Sequence, residues 1–250
     1  MIVLKTRREL DLMREACRIS ANALKEAGKA VEPGVSTKEI DDVVRNYIRK
    51  QGASPSFLGY GGFPASACIS VNNVVIHCIP SKKQILKSGD IVSVDVGAFI
   101  GGFHGDNAYT YACGDISKEA RALLDATKES LYEGIKQAKA GNRIGDIGNA
   151  VQSYAEARSY SVVRDFVGHG VGAKLHEDPS VPNSGTPGRG VRLMPGMTIA
   201  IEPMITAGGY AVKVLDDDWT TVTADGSLAA HFEHTIAITP DGPVIMTIPD

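Results

Sequence analysis

The sequence predicts an α+β fold made of two similar halves whose strands join in one curved antiparallel sheet covered by paired helices. Three observations predict it. Helix-period and strand-period stretches come in blocks, and the same order of blocks occurs twice along the chain. At an offset of 107 residues the match runs residue by residue: Leu24 falls on Leu131, Gly34 on Gly141, Ile40 on Ile147, Val44 on Val151 and Tyr47 on Tyr154. At the same offset Leu86-Lys87-Ser88-Gly89-Asp90-Ile91-Val92-Ser93-Val94-Asp95 lies over Leu193-Met194-Pro195-Gly196-Met197-Thr198-Ile199-Ala200-Ile201-Glu202, so two equivalent strands each end in an acid.

In chain order, Thr6 and Glu9 form a capping box ahead of Leu10, Met13, Cys17 and Leu24, which recur at helical spacing up to Gly28. Ser36 or Thr37 caps a second helix through Ile40, Val43, Val44, Tyr47 and Ile48 to about Gly52. The period then changes to that of short strands over 54–60, 67–71 and 74–78, leading into the strand at Ile91. The second half predicts a helix over 117–140, a helix over 145–157, and strands near Val162, over 198–201 and over 235–238.

With 250 residues, 43% of them hydrophobic, and no linker or low-complexity tract, the chain predicts a single domain containing both halves, approximately 1–112 and 113–250. A net charge of −3 with scattered basic residues argues against a nucleic-acid surface. The first residues, MIVLKTRRELDLMREA, place their charges after a short apolar start and contain no apolar h-region, so neither a signal peptide nor a membrane span is expected. Cys17, Cys68, Cys78 and Cys113 lack CxxC spacing and predict reduced thiols and a cytoplasmic location.

The run Ile91-Val92-Ser93-Val94 reads as a buried strand, and a carboxylate after it at Asp95 needs a positive partner. Glycines 97, 101, 102 and 105 are expected to double the backbone back and bring Asp106 beside it. Gly168-His169-Gly170 brackets an imidazole and is expected to leave it accessible; His176 follows. Glu202 ends one apolar strand and Glu233 begins another. Any one of these acids could be an exposed strand end, but four carboxylates and one imidazole converging would carry about four negative charges. Two divalent cations neutralise such a cluster. Oxygen-rich coordination with one imidazole and no thiolate suits Mn, Fe, Co or Zn, and paired metals of this kind support hydrolysis.

These residues stand in motifs that resemble the type I methionine aminopeptidases: His77-x-Ile79-Pro80, Val94-Asp95-Val96-Gly97, His104-Gly105-Asp106, Gly168-His169-Gly170 with His176, Ile201-Glu202-Pro203-Met204 and Phe232-Glu233-His234-Thr235, in the family's order over essentially the whole chain. The resemblance implies the pita-bread fold and removal of the initiator methionine from nascent polypeptides when the second residue is small. It implies metal ligation by Asp95, Asp106, His169, Glu202 and Glu233, with Asp106 and Glu233 shared between two ions. It also implies proton transfer by Glu202, a hydrogen bond from His176 to the scissile carbonyl or the tetrahedral intermediate, and contact of His77 with the substrate peptide or the leaving nitrogen. Tyr60, Phe63, Cys68 and Trp219 would line the methionine pocket, with Phe57 and Leu175 nearby. A monovalent cation is implied near Asn72 and Val74. The family pattern further implies the minimal bacterial form, a monomer with transient ribosome contact and no membrane partner.

Phe57, Phe63, Leu175 and Cys78 depart from the residues usual in the family (Cys, Tyr, Phe and Gly) and alter the expected pocket shape, not the metal chemistry. A proline-specific peptidase of the same fold is the rival enzyme, but such enzymes usually carry an additional N-terminal domain. A metal-free binding module is the rival from another class, and it would require missing ligands, whereas all five are present.

Overall fold

The computed structural model describes residues 1–250. Helix α1 (Arg7–Lys29) starts as expected: Thr6 caps it, Glu9 N–H donates to the Thr6 hydroxyl, and the Glu9 carboxylate accepts from Thr6 N–H at 2.7 Å. In α2 (Thr37–Lys50) the cap is Ser36, with Glu39 closing the box. Strands β1 (Ser54–Pro55), β2 (Ala67–Val71) and β3 (Val74–Ile76) follow. The strand expected over 54–60 is only two residues long, because Gly59, Gly61 and Gly62 all have positive φ and wind the chain into one 3₁₀ turn at Tyr60–Gly62.

Strands β4 (Ile91–Ile100) and β5 (Phe103–Ala112) form a long hairpin, in register from Ile91 opposite Ala112 to Ile100 opposite Phe103. Gly101 and Gly102, at φ 62° and 86°, make the two-residue turn that only such residues adopt readily. Gly97 and Gly105 were expected in the reversal but lie inside the strands. A Cβ at Gly105 would overlap the backbone of Cys17, so this glycine lets β5 press directly on α1. Asp95, expected at a strand end, sits in the middle of β4, which runs five residues further to Ile100.

The second half contains α3 (Lys118–Gln137), α4 (Ile144–Glu156), β6 (Ser161–Val162), β7 (Gly168–Gly170), β8 (Glu177–Val181), β9 (Thr198–Ile201), β10 (Met204–Thr206), β11 (Val212–Val214), β12 (Thr221–Thr223), β13 (Ala229–His231), β14 (Glu233–Thr239) and β15 (Gly242–Ile245). Helix α3 ends before the expected 140 because Ala138, at ψ 51°, leaves helical geometry.

The main sheet is antiparallel in the order β1-β4-β5-β14-β9-β7-β8, with β2 on β4 and β15 on β14. It curls into a half-barrel with the four helices on it, and β5 and β14 meet at its pseudo-twofold centre. One apolar cluster holds Leu24, Ile40, Val44 and Leu86 against β2 and β4. A second holds Leu131, Ile147, Val151 and Leu193 against β9 and β14. Burying each of these side chains contributes about 1.5–3 kcal/mol. Local bonding is equivalent in the two halves: Gly34 N–H donates to Leu86 O at 2.8 Å and Gly141 N–H to Leu193 O at 3.0 Å.

Candidate metal centre

The central strands deliver the acids. Asp95 on β4 lies opposite Ala108 of β5, and Glu233, the first residue of β14, lies opposite the same Ala108 from the other side. Asp106 is one turn of the pleat away on β5, and Glu202 follows the last residue of β9. His169 is the middle residue of β7, which pairs with both β8 and β9. Gly168 and Gly170 serve this pairing: a Cβ at either would collide with a carbonyl, Ala200 O or Asp178 O. The imidazole is therefore buried, at 9% exposure, and not the accessible group that the flanking glycines led one to expect.

Ligand-type atoms of Asp106, His169 and Glu233 all lie within 4.8 Å of one another. His169 Nε2 stands 3.7 Å from Asp106 Oδ2 and 3.5 Å from Glu202 Oε1. Asp95 Oδ1, Asp106 Oδ1 and Glu233 Oε1 are buried without a hydrogen-bond partner. Such an orphaned acceptor costs about 1–3 kcal/mol, and more when charged. No lysine or arginine pairs with any of these acids; their ion-pair neighbours are His169 and His231.

The electrostatics follow from this isolation. Burial, and then the Asp106 carboxylate, push Asp95 well above its ordinary range, and burial pushes Asp106 up to about 7. Glu202 and Glu233 are raised by burial first and by the neighbouring acids second. Burial lowers His169 to about 3, so its ring is neutral. Nδ1–H donates to Gly170 O at 2.8 Å, which leaves the Nε2 lone pair facing the acids. Acceptor-only oxygens, one imidazole lone pair and no protein cation make a donor set that fits divalent metal.

One cavity of about 270 Å³ joins this cluster to an apolar compartment. All eleven residues expected at the site border it: Asp95, Asp106, His169, Glu202 and Glu233 at one end, and Tyr60, Phe63, Cys68, His77, His176 and Trp219 around the remainder. Phe57, Phe63, Cys68 and Leu175 form a buried cluster with Trp219 packed on it, and Trp219 meets Phe63 edge-on at 5.1 Å. His176 lies at the exposed mouth with its Nδ1 2.7 Å from Tyr60 Oη. His77 holds φ 59°, a left-handed strain of about 1–3 kcal/mol for a side-chain-bearing residue, and packs edge-on against Phe166. Burial lowers His77 to about 4.

Sequence reasoning missed Ile76, Phe166 and Val167 on the cavity wall, and His231 beside Glu202. Phe166 and Val167 precede the glycine-flanked histidine and could have been found from that position. His231 belongs to no motif.

A family model described as Metallopeptidase family M24 matches residues 11–240. The chain belongs to metallopeptidase family M24. Among M24 relatives it is 55% identical to a methionine aminopeptidase of Clostridium perfringens, over 99% of both chains. The solved methionine aminopeptidase of Thermotoga maritima is 46% identical, with a TM-score of 0.97 over 99% of each chain. The prolidase of Pyrococcus horikoshii aligns with all of this chain and 65% of its own at a TM-score of 0.81 and 22% identity, a likeness that shows the pita-bread fold.

Proposed function

We propose that the protein is a metal-dependent aminopeptidase that removes the initiator methionine from nascent polypeptides whose second residue is small. The observation that carries this is the single cavity in which a cluster of four acids and an imidazole faces an apolar compartment. An unbranched thioether suits walls of Phe57, Phe63, Cys68, Leu175 and Trp219, because it bends to fill irregular space and packs favourably on aromatic edges.

In this reading Asp95, Asp106, His169, Glu202 and Glu233 would hold two divalent ions, of Co, Mn, Fe or Zn. Bound there, the metals supply Lewis acidity and an activated water. Glu202 accepts a proton from the attacking water and passes it to the leaving amine. With Tyr60 Oη–H donating to His176 Nδ1, the hydrogen of the neutral ring sits on Nε2, where it can donate to the oxygen of the scissile carbonyl as negative charge develops. His77, aimed into the cavity by its strained backbone, contacts the substrate peptide.

Further parts of the proposal concern the whole chain. Residues 1–112 and 113–250 are duplicated halves of one catalytic domain, supported by the matching glycine hydrogen bonds in α1–α2 and α3–α4. The residues near Asn72 and Val74 would hold a monovalent cation. The protein acts as a cytoplasmic monomer with transient ribosome contact; no helix is long and apolar enough to cross a membrane.

The test uses metal-stripped protein refilled with Mn, Fe, Co or Zn and offered Met-Ala-Ser, Met-Leu-Ser, Leu-Ala-Ser and Ala-Pro peptides. Metal-dependent release of methionine from Met-Ala-Ser in preference to the others is expected. No release of methionine with any metal would refute the reading.

A further inference from the structure

His231 closes β13, is 2% exposed, and carries a buried Nε2 without a hydrogen-bond partner. The carboxylate oxygen facing it is Glu202 Oε2, at 3.8 Å, while Oε1 of the same group faces His169 Nε2 at 3.5 Å. Glu202 is thus bracketed by two imidazoles, one oxygen to each. The base of His231 is rigid: its N–H donates to Thr110 Oγ1 at 2.9 Å, the same hydroxyl donates to its carbonyl at 2.7 Å, and the residue pairs with Met204. A carboxylate turns easily about its last torsion, so one oxygen must be anchored if the other is to keep its direction.

We propose that His231 is a positioning residue for Glu202: closing from the 3.8 Å seen here, its Nε2–H donates to Glu202 Oε2 in the working site and holds Oε1 toward His169 and the reacting atoms. The inference rests on the reading above that Glu202 moves the proton. It accounts for a buried ring nitrogen without a partner and for the carboxylate oxygen of Glu202 that faces it. Partners that orient a working group in this way are worth about 10–100-fold in activity when removed.

The experiment compares zinc-loaded wild type, His231→Leu, His231→Gln and Glu202→Gln. Each is assayed for kcat and KM on Met-Ala-Ser, and the histidine ring ¹⁵N–H signals are recorded by NMR. His231→Leu is expected to lower kcat about 10–100-fold while KM stays within about threefold. His231→Gln, whose amide can donate from nearly the same place, should return kcat to within about threefold of wild type. In wild type the spectrum should show a slowly exchanging His231 Nε2–H that shifts upfield in Glu202→Gln. Wild-type kcat in folded His231→Leu, equal losses in the Leu and Gln variants, or an Nε2 without a proton would overturn the proposal. Should His231→Leu fail to fold, the Gln variant and the spectrum still decide. An inactive Glu202→Gln beside an unimpaired His231→Leu removes only the positioning role, whereas an active Glu202→Gln removes the proton-transfer reading itself.

Discussion

At Asp106 burial lifts the carboxyl to about 7, and at Asp95, Glu202 and Glu233 burial and neighbouring acids lift it well above the ordinary range. The folded, metal-stripped chain therefore keeps protons that the unfolded chain, titrating near about pH 4, has released. Because the folded state binds more protons, its stability falls as pH rises through these values. The buried histidines, lowered on folding, work in the opposite sense, but only below about pH 6.5, where the unfolded chain protonates them. Between about pH 6.5 and 8.5 the Tm of metal-stripped protein should fall with pH, and divalent metal should abolish the fall. A Tm that rises over this window without metal would contradict the burial argument. The acids were legible in the sequence because a carboxylate beside a β-branched apolar run is conspicuous. His231, in Ala229-Ala230-His231-Phe232, looks like one polar residue in a core stretch, and only its distance to Glu202 gives it meaning.

Among the elements, the hairpin of β4 and β5 shows what periodicity reveals and what it conceals. Its apolar first strand and glycine turn could be read directly, as could α1 and α2 from the boxes Thr6/Glu9 and Ser36/Glu39. The separate jobs of its glycines could not, since a turn glycine and a packing glycine are the same letter. Gly105→Ala, which places a methyl against the backbone of α1 at Cys17, is expected to cost about 1–3 kcal/mol in denaturant unfolding. An unchanged midpoint would show that α1 yields at that contact. The sequence reading left out the three-residue strands β10, β11, β12 and β13, and also β8, whose Glu177-Asp178-Pro179-Ser180 carries no apolar alternation.

For the whole molecule, the strand order explains why a site exists at all. β4 and β5 carry Asp95 and Asp106 from one half, β9 and β14 carry Glu202 and Glu233 from the other, and the sheet closes only where β5 meets β14. Neither half alone assembles the cluster. Its location was indicated by the sequence match at an offset of 107 residues, which lays the strand ending in Glu202 over the one carrying Asp95. The walls of the cavity were less so, because Ile76, Phe166 and Val167 reach it from segments far apart in the chain. These acids and His169 are expected to form a metal centre responsible for the peptidase chemistry. Calorimetric titration of the metal-stripped protein with Mn or Co, with methionine release from Met-Ala-Ser followed in the same samples, tests it most directly. Two ions per chain, activity that rises with occupancy, and loss of both in Asp106→Asn are expected. Folded protein that binds no divalent ion, or methionine release undiminished by a chelator, would contradict it.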